Sequence, residues 1–198
     1  MPNEKVQQAR QALLAFLHSN HSRFEIAIDC PIEERISFIY AIIFPGFEKV
    51  RFYWRFLIAR LAYFIDYSPL KVRLYRSIGI KIGKGVFISP GVILDPHFPS
   101  LISIDDYAII GWGTQLFTHE FTGEKYTAGR IHVGRGAVIG GLSIVRGGVT
   151  IGDNAQVAST CIVYKDVPEN YCLDSIILLN RALADAYRRN YGSENASL

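Results

Sequence analysis

A six-residue spacing of branched aliphatic residues is the feature that most constrains the fold of this chain. Between residues 82 and 163, every position on this spacing is Ile, Leu or Val, in three separate runs. The positions are Ile82, Ile88 and Leu94; Ile104, Ile110 and Leu116; and Val133, Ile139, Val145, Ile151, Val157 and Val163. A period of six fits neither an α-helix nor a simple alternating strand. Sustained over several repeats, it predicts a parallel β-helix in which three short strands close each triangular coil.

Two further patterns accompany the repeat residues. Small or slender residues recur four positions later, where a large side chain would collide at a corner of the coil, and they are Val86, Val92, Ala108, Thr114, Ala137, Ser143, Val149, Ala155, Cys161 and Val167. Gly often follows the repeat residue directly, as at Gly134 and Gly140, where we expect it to tolerate the backbone angles of a corner. The repeat residues themselves should point inward and stack at about 4.8 Å from coil to coil.

Composition excludes several classes of protein. The chain has 198 residues, of which 49% are hydrophobic, and its formal net charge of +3 is too small to indicate a nucleic-acid partner. The three cysteines have no metal-ligand spacing and no even count, so neither a zinc cage nor a disulfide framework is predicted. The polar N-terminus does not resemble a signal peptide, and we therefore expect a cytoplasmic protein.

The ends of the chain differ from the repeat region. Residues 1–78 contain little Gly and show helical spacing, and residues 171–198 are expected to form a helix and a tail. The segment 36–66 mixes Arg with aromatic and aliphatic residues and has no apolar run long enough to span a membrane. It is open to two interpretations: a helical cap packed on the β-helix or on another subunit, or an amphipathic segment lying at the inner face of a membrane.

The longest insertion into the repeat begins after a histidine. The repeat lapses between Leu116 and Val133, and we expect residues 122–132 to form a loop at the binding face. His119 falls on the outward face at the base of this loop, and Glu120 takes a slot that is normally small and inward. Because a buried Glu is unfavourable without a partner, either the chain leaves the β-helix here or Glu120 is held against a partner. As a site residue, Glu120 would either orient His119 or form a salt bridge at the base of the loop.

The sequence resembles the hexapeptide-repeat acyltransferases, the group that contains the maltose, galactoside and polysaccharide O-acetyltransferases. The matching stretches are LYRSIGIKIGKGVFISPGVILDPHFPSLISI at 74–104, LFTHEF at 116–121 and VGRGAVIGGLSIVRGGVTIGDNAQVASTCIVYKDVPEN at 133–170. The resemblance implies a mainly β fold, with a left-handed parallel β-helix over residues 79–170 between an N-terminal helical region and a C-terminal helix. It also implies a homotrimer with active sites between adjacent subunits.

The resemblance also implies the chemistry. The donor would be acetyl-CoA or another acyl-CoA, the acceptor a hydroxyl of a sugar or glycan, and no metal would be needed. His119 takes the position of the family's catalytic histidine, which removes the proton of the acceptor hydroxyl. By alignment, Gly141 and Ser159 would line the pantetheine arm, and Lys165 would meet a phosphate of the cofactor.

Two other functions remain open. A non-catalytic scaffold subunit is one, because the small-residue turn that usually ends the family's repeat region is absent here. The other is a zinc enzyme like the γ-type carbonic anhydrases, with His97, His119 and His132 as ligands. The close pair of histidines that is typical of that family is missing from this sequence.

Overall fold

A computed structural model describes residues 2–43 and 48–191 of the chain. Within these residues, five α-helices flank a β-rich centre, and they are α1 (Pro2–His18), α2 (Ile32–Ile43), α3 (Glu48–Phe64), α4 (Ser68–Ser77) and α5 (Ser175–Tyr191). The strands are β1 (Arg23–Ala27), β2 (Lys81–Ile82), β3 (Phe87–Ile88), β4 (Ile93–Leu94), β5 (Ile102–Ile104), β6 (Ile109–Ile110), β7 (Gln115–Phe117), β8 (His119–Phe121), β9 (Lys125–Gly129), β10 (Ile131–Val133), β11 (Val138–Ile139), β12 (Ile144–Arg146), β13 (Val149–Ile151), β14 (Gln156–Val157), β15 (Ile162–Val163) and β16 (Cys172–Leu173).

Three parallel sheets form the sides of a left-handed β-helix. The first side has the order β2-β5-β10-β13, the second β3-β6-β11-β14-β16 and the third β4-β7-β12-β15. Successive coils pair in register through equivalent residues, as where Leu94 lies opposite Leu116 on the third side. All the repeat residues except the half-buried Ile82 are buried. The prediction of stacked six-residue rows and a mainly β, left-handed fold is therefore confirmed. Left-handed connections between parallel strands are rare in other proteins.

The corners of the coils confirm one expectation and correct another. The small residues four positions after each repeat residue are all buried. Gly directly after the repeat residue is explained by close packing and not by its backbone angles. A Cβ added to Gly140 would lie 2.4 Å from the backbone nitrogen of Ser159 in the next coil. The left-handed backbone conformation occurs two residues further along, at Gly136 (φ 65°) and Leu142 (φ 58°).

The helix α4 closes the first coil of the β-helix. The Tyr75 hydroxyl donates a hydrogen bond to the carbonyl oxygen of Val92 at 3.0 Å, and Nζ of the buried Lys71 donates to the carbonyl oxygen of Ser89 at 2.6 Å. These bonds satisfy backbone oxygens that the first coil cannot pair with a preceding one. Burial lowers the pKa of Lys71 and raises that of Tyr75 to about 12.

The insertion in the repeat is a β-hairpin rather than a loop. The strands β8 and β9 pair antiparallel, and β1 from the N-terminal region adds to β9 as a third strand. Tyr126 and Ala128 alternate inward from β9 and are buried in a second core with Leu13 and Phe98. Strand pairing and this core order residues 125–129, which sequence reasoning expected to be part of the loop 122–132.

The terminal regions are mainly helical. The described parts of the N-terminal region, residues 2–43 and 48–78, contain four helices and also the strand β1, which the sequence pattern did not predict. At the other end α5 covers residues 175–191, and the predicted tail from 192 to 198 lies outside the described residues. No helix within residues 2–43 and 48–191 combines the length and apolar character that crossing a bilayer requires.

Candidate active site

His119 lies where the chain leaves the third side of the β-helix. Leu94 and Leu116 are opposite each other on neighbouring coils, so the residues that follow them share one corner. Thr118 is fully buried there, and β8 begins at His119. The corner therefore brings the segment after Leu94 against the segment after Leu116.

A buried carboxylate from the preceding coil holds the imidazole of His119. Asp95 Oδ2 lies 2.6 Å from His119 Nδ1 and also accepts a hydrogen bond from the Thr118 backbone N–H at 3.0 Å. The other oxygen, Oδ1, lies 3.1 Å from Nδ1 of His97 and accepts from the His97 backbone N–H at 2.9 Å. One carboxylate thus bridges two imidazoles whose ring centres are 4.4 Å apart.

These contacts determine the charge of Asp95. Burial alone would raise the pKa of its carboxyl, but the hydrogen bonds from His119, His97 and Thr118 hold that pKa well below its usual range. The ionised carboxylate can only accept hydrogen bonds, so the Nδ1 atoms of both histidines carry hydrogen. In the neutral imidazole of His119 the lone pair is then on Nε2, which is the arrangement that a general base requires.

Two cavities adjoin His119. The larger, of about 360 Å³, lies between α3 and the first full coil, and aromatic and aliphatic side chains such as Phe56, Tyr63 and Ile93 form most of its wall. The smaller, of about 240 Å³, lies on the side of the later coils, and its lining includes the polar residues Arg23 and Thr127. His119 lines both cavities, so two substrates could reach its imidazole, one from each cavity.

Glu120 does not orient His119. It forms an ion pair with Arg146, and both side chains are about 40% exposed at the wall of the smaller cavity. The sequence left two roles open for Glu120, and the structure agrees with the salt bridge. The carboxylate on the imidazole belongs to Asp95 instead.

Comparisons with known proteins identify the family. The provisionally named acetyltransferase YvoF of Bacillus subtilis is 33% identical over 115 residues, which are 58% of this chain and 67% of that protein. The protein SAR0816 of Staphylococcus aureus, also provisionally named an acetyltransferase, is 34% identical over 115 residues, which are 58% of this chain and 71% of that protein. The chain belongs to the hexapeptide-repeat acetyltransferases.

Solved structures agree with this fold. The hexapeptide-repeat acetyltransferase VCA0836 of Vibrio cholerae, crystallised with acetyl coenzyme A, superimposes with a TM-score of 0.52 at 20% identity. The match covers 63% of this chain and 81% of VCA0836. No family model matches the chain.

The residues predicted to bind the cofactor lie on the later coils of this hexapeptide-repeat acetyltransferase. Gly141 and Ser159 occupy the same corner on successive coils, where the Thr160 backbone N–H donates to the Gly141 carbonyl oxygen at 2.8 Å. Lys165 lines a separate cavity near the C-terminal end of the β-helix. None of Gly141, Ser159 and Lys165 lines the two cavities at His119. Their role in binding CoA stays a prediction.

The three histidines considered for zinc are not brought together in one subunit. His132 lies on the first side, with Nδ1 3.0 Å from the Ser103 hydroxyl and Nε2 3.5 Å from Asp105. Within the described residues, the group able to hold a metal ion is Asp95, His97 and His119, whose ligand atoms lie within 4.8 Å of one another. Zn²⁺ there would compete with the hydrogen bonds that fix both imidazoles.

Sequence reasoning missed Asp95. A signal was available, because Leu94 and Leu116 are the third repeat residues of two successive runs and therefore fall on the same side of adjacent coils. Any polar residue directly after Leu94 therefore lies beside the residues after Leu116. The intervening segment 99–101, a short 3₁₀ helix, obscured this register by interrupting the repeat.

Proposed function

We propose that this protein transfers an acetyl group from acetyl-CoA to a hydroxyl of a sugar or glycan, with His119 as the general base. One observation carries the proposal: the buried, ionised Asp95 holds Nδ1 of His119 at the meeting point of two cavities. Asp95 orients the imidazole and stabilises the positive charge that the imidazole gains during transfer, as the carboxylate of a catalytic triad does.

The reaction needs no covalent enzyme intermediate. His119 Nε2 removes the proton from the acceptor hydroxyl while its oxygen attacks the thioester carbonyl. The resulting tetrahedral intermediate then collapses, the carbon–sulfur bond breaks, and the imidazolium returns the proton to the CoA thiolate. A thioester is already activated, so holding both substrates in line supplies much of the rate enhancement.

Polar groups favour the later coils as the site of the donor. The smaller cavity is lined by Arg23 and Arg146, which can meet carbonyl or phosphate oxygens. It extends towards Ile144, which pairs in register with Ile162 on the next coil. Lys165 follows three residues after Ile162 and suits a CoA phosphate. We propose that the donor lies along these coils, beside Gly141 and Ser159.

A pair of histidine variants tests the general base. His119→Ala should lower kcat/KM for acetyl transfer by about 10²- to 10⁴-fold, because the hydroxyl loses its proton acceptor. His132→Ala is the matched control, since it removes a half-buried histidine that has an aspartate neighbour but lies outside the cluster. Release of CoA thiol in the presence of acceptor reports the rate. Wild-type turnover by His119→Ala would exclude this assignment.

A scaffold without activity is the alternative, and ligand binding separates the two functions. An enzyme that uses CoA should be stabilised by about 2.7 kcal/mol at a hundredfold excess of CoA over its dissociation constant. A scaffold has no reason to retain a buried carboxylate between two imidazoles. Absence of both stabilisation and turnover would favour the scaffold.

We propose that the enzyme is a homotrimer, as the family resemblance implies. Exposed apolar side chains at one corner of the coils, Trp112 and Leu142, support a subunit contact beside Gly141. Sedimentation equilibrium should then give three times the chain mass of 22.3 kDa. A monomer at micromolar concentration would contradict the proposal.

We also propose a cytoplasmic location with peripheral contact to the inner face of a membrane. The helix α3 exposes apolar side chains beside two cations, Arg51 and Arg60. The apolar side chains are Trp54, Leu57, Leu61 and Phe64. This combination suits an anionic membrane surface. Vesicles containing phosphatidylglycerol should co-sediment the wild type but not the variant Trp54→Glu/Leu61→Glu. If the wild type does not bind vesicles and the variant no longer forms a trimer, this face of α3 is a subunit contact and the membrane proposal is wrong.

A further inference from the structure

The larger cavity at His119 is apolar. Phe56, Ala59 and Tyr63 line it from α3, and Val92, Ile93 and Phe117 line it from the β-helix. Arg60 also lies at its wall, where its guanidinium stacks on the rings of Tyr63 and Phe64. The polar groups Asp95, His97 and His119 contact one another in its wall. A ligand in this cavity would therefore place a reacting group at the imidazole and an apolar group against α3.

The position of the cavity indicates which substrate it serves. It adjoins Leu94 on the first full coil, whereas the smaller cavity adjoins Ile144 and Gly147 on a later coil. The proposed donor residues Ser159 and Lys165 lie further along in the same direction as the smaller cavity. With the donor on the later coils, the apolar cavity remains for the acceptor.

We infer that the acceptor is an alcohol with an apolar substituent, such as an alkyl or aryl glycoside or the glycan of a glycolipid, and that this substituent occupies the cavity between α3 and the β-helix. The inference rests on the proposed acetyl transfer and deepens it. A free sugar would leave the aromatic wall of Phe56 and Tyr63 in contact with water. An alkyl group removes that wall from water and positions the adjoining hydroxyl at His119.

A series of acceptors tests this specificity. With acetyl-CoA as donor and methyl, butyl, hexyl and octyl glucosides below their micelle concentrations, kcat/KM should rise up to about fourfold for each buried methylene. The rise should end when the cavity is full. Free glucose should be the poorest acceptor. A flat series, or one in which methyl glucoside is best, would overturn the inference.

Variants of α3 test the location. Ala59→Phe fills the cavity and should lower kcat/KM for octyl glucoside at least tenfold more than for methyl glucoside. Val50→Phe is the matched control, because Val50 lies on the same helix but is 77% exposed. If Ala59→Phe does not fold, Phe56→Ala serves instead, since this half-exposed ring can be removed, and it should shift the optimum to longer chains. Unchanged chain-length dependence in the folded variants would exclude this cavity.

Two outcomes distinguish this inference from the proposed function. If His119→Ala transfers acetyl groups at the wild-type rate, the general base is wrong whatever the acceptor. If transfer depends on His119 but not on the acceptor chain, only the specificity is wrong. Transfer from hexanoyl-CoA tests whether the acyl group of the donor occupies the cavity instead. If Ala59→Phe changes the dependence of kcat/KM on the length of the donor acyl chain and not on that of the acceptor, the cavity binds the acyl group and the inference fails.

Discussion

Asp95 Oδ2 lies 2.6 Å from Nδ1 of His119, although the two residues are 24 positions apart in the chain. They meet because Leu94 and Leu116 stack on adjacent coils of the third side. The same carboxylate contacts His97, so one buried charge orients two imidazoles. The site is therefore a product of the repeat, which places equivalent positions of successive coils side by side.

Asp95→Asn should reduce kcat by about 10²- to 10⁴-fold, because an amide removes the charge that stabilises the imidazolium and can turn the imidazole to the wrong tautomer. Steady-state kinetics with acetyl-CoA measures the loss. Asp105→Asn, beside His132, is the control and should remain near the wild-type rate. Because Asp95 and His119 act together, the double variant with His119→Ala should be little worse than His119→Ala alone. Additive losses would argue against a functional pair.

Glu120→Gln should reduce kcat far less than Asp95→Asn, by no more than about tenfold. Its carboxylate is paired with Arg146 and is half-exposed, and such pairs contribute about 0–1 kcal/mol. The same assay on both variants makes the comparison. Equal losses in Glu120→Gln and Asp95→Asn would restore Glu120 as the residue that orients the imidazole.

The stability of the protein should fall in acid partly because of Asp95. The pKa of its carboxyl is lower in the folded state than in the unfolded chain, where an Asp carboxyl has a pKa of about 3.9. The folded state therefore binds fewer protons, and the stabilisation by Asp95 is present above about pH 4 and is lost as the pH falls below it. Urea unfolding between pH 7 and pH 3 should give a shallower acid slope for Asp95→Asn than for the wild type. Parallel slopes would contradict the ionised carboxylate.

Two buried tyrosines should respond oppositely to removal of the hydroxyl. The Tyr126 hydroxyl has no hydrogen-bond partner among the described residues, so Tyr126→Phe should leave stability unchanged or raise it by up to about 1 kcal/mol. Tyr75→Phe leaves the Val92 carbonyl oxygen unpaired and should cost about 1–2 kcal/mol. Chemical denaturation measures both. Similar losses in the two variants would mean that Tyr126 has a hydrogen-bond partner in solution.

Gly140→Ala should destabilise the β-helix by about 1–3 kcal/mol or more, because the new Cβ would lie 2.4 Å from the Ser159 backbone nitrogen. Ala158→Gly is the control at the equivalent position one coil later, and it should cost only about 0.5–1 kcal/mol. Thermal and urea unfolding give the comparison. A neutral Gly140→Ala variant would show that the coils are further apart than described.

The fold could be predicted because every coil of a β-helix repeats the same local sequence pattern. Each repeat residue, such as Ile110 or Val145, must face inward for the coil to bury a core, so the periodicity is visible without any tertiary information. The hairpin of residues 119–129 could not be predicted in this way. Its strand β9 is ordered by pairing with β1, which lies about 100 residues earlier in the chain. Contacts across such a distance leave no periodic signal in either segment.

The sequence by itself determined the inward rows, the small residues at the corners and the position of His119 beside the largest insertion. Only the tertiary structure decided which carboxylate serves that imidazole. Asp95 and Glu120 are both acidic residues that follow a repeat residue within a few positions, but their carboxylates have different neighbours in the folded chain. Stacking of Leu94 on Leu116 buries Asp95 against His119, whereas the departing hairpin directs Glu120 to Arg146. The repeat aligns the two coils, but the direction of the hairpin, which takes Glu120 to Arg146, carries no periodic signal in the sequence.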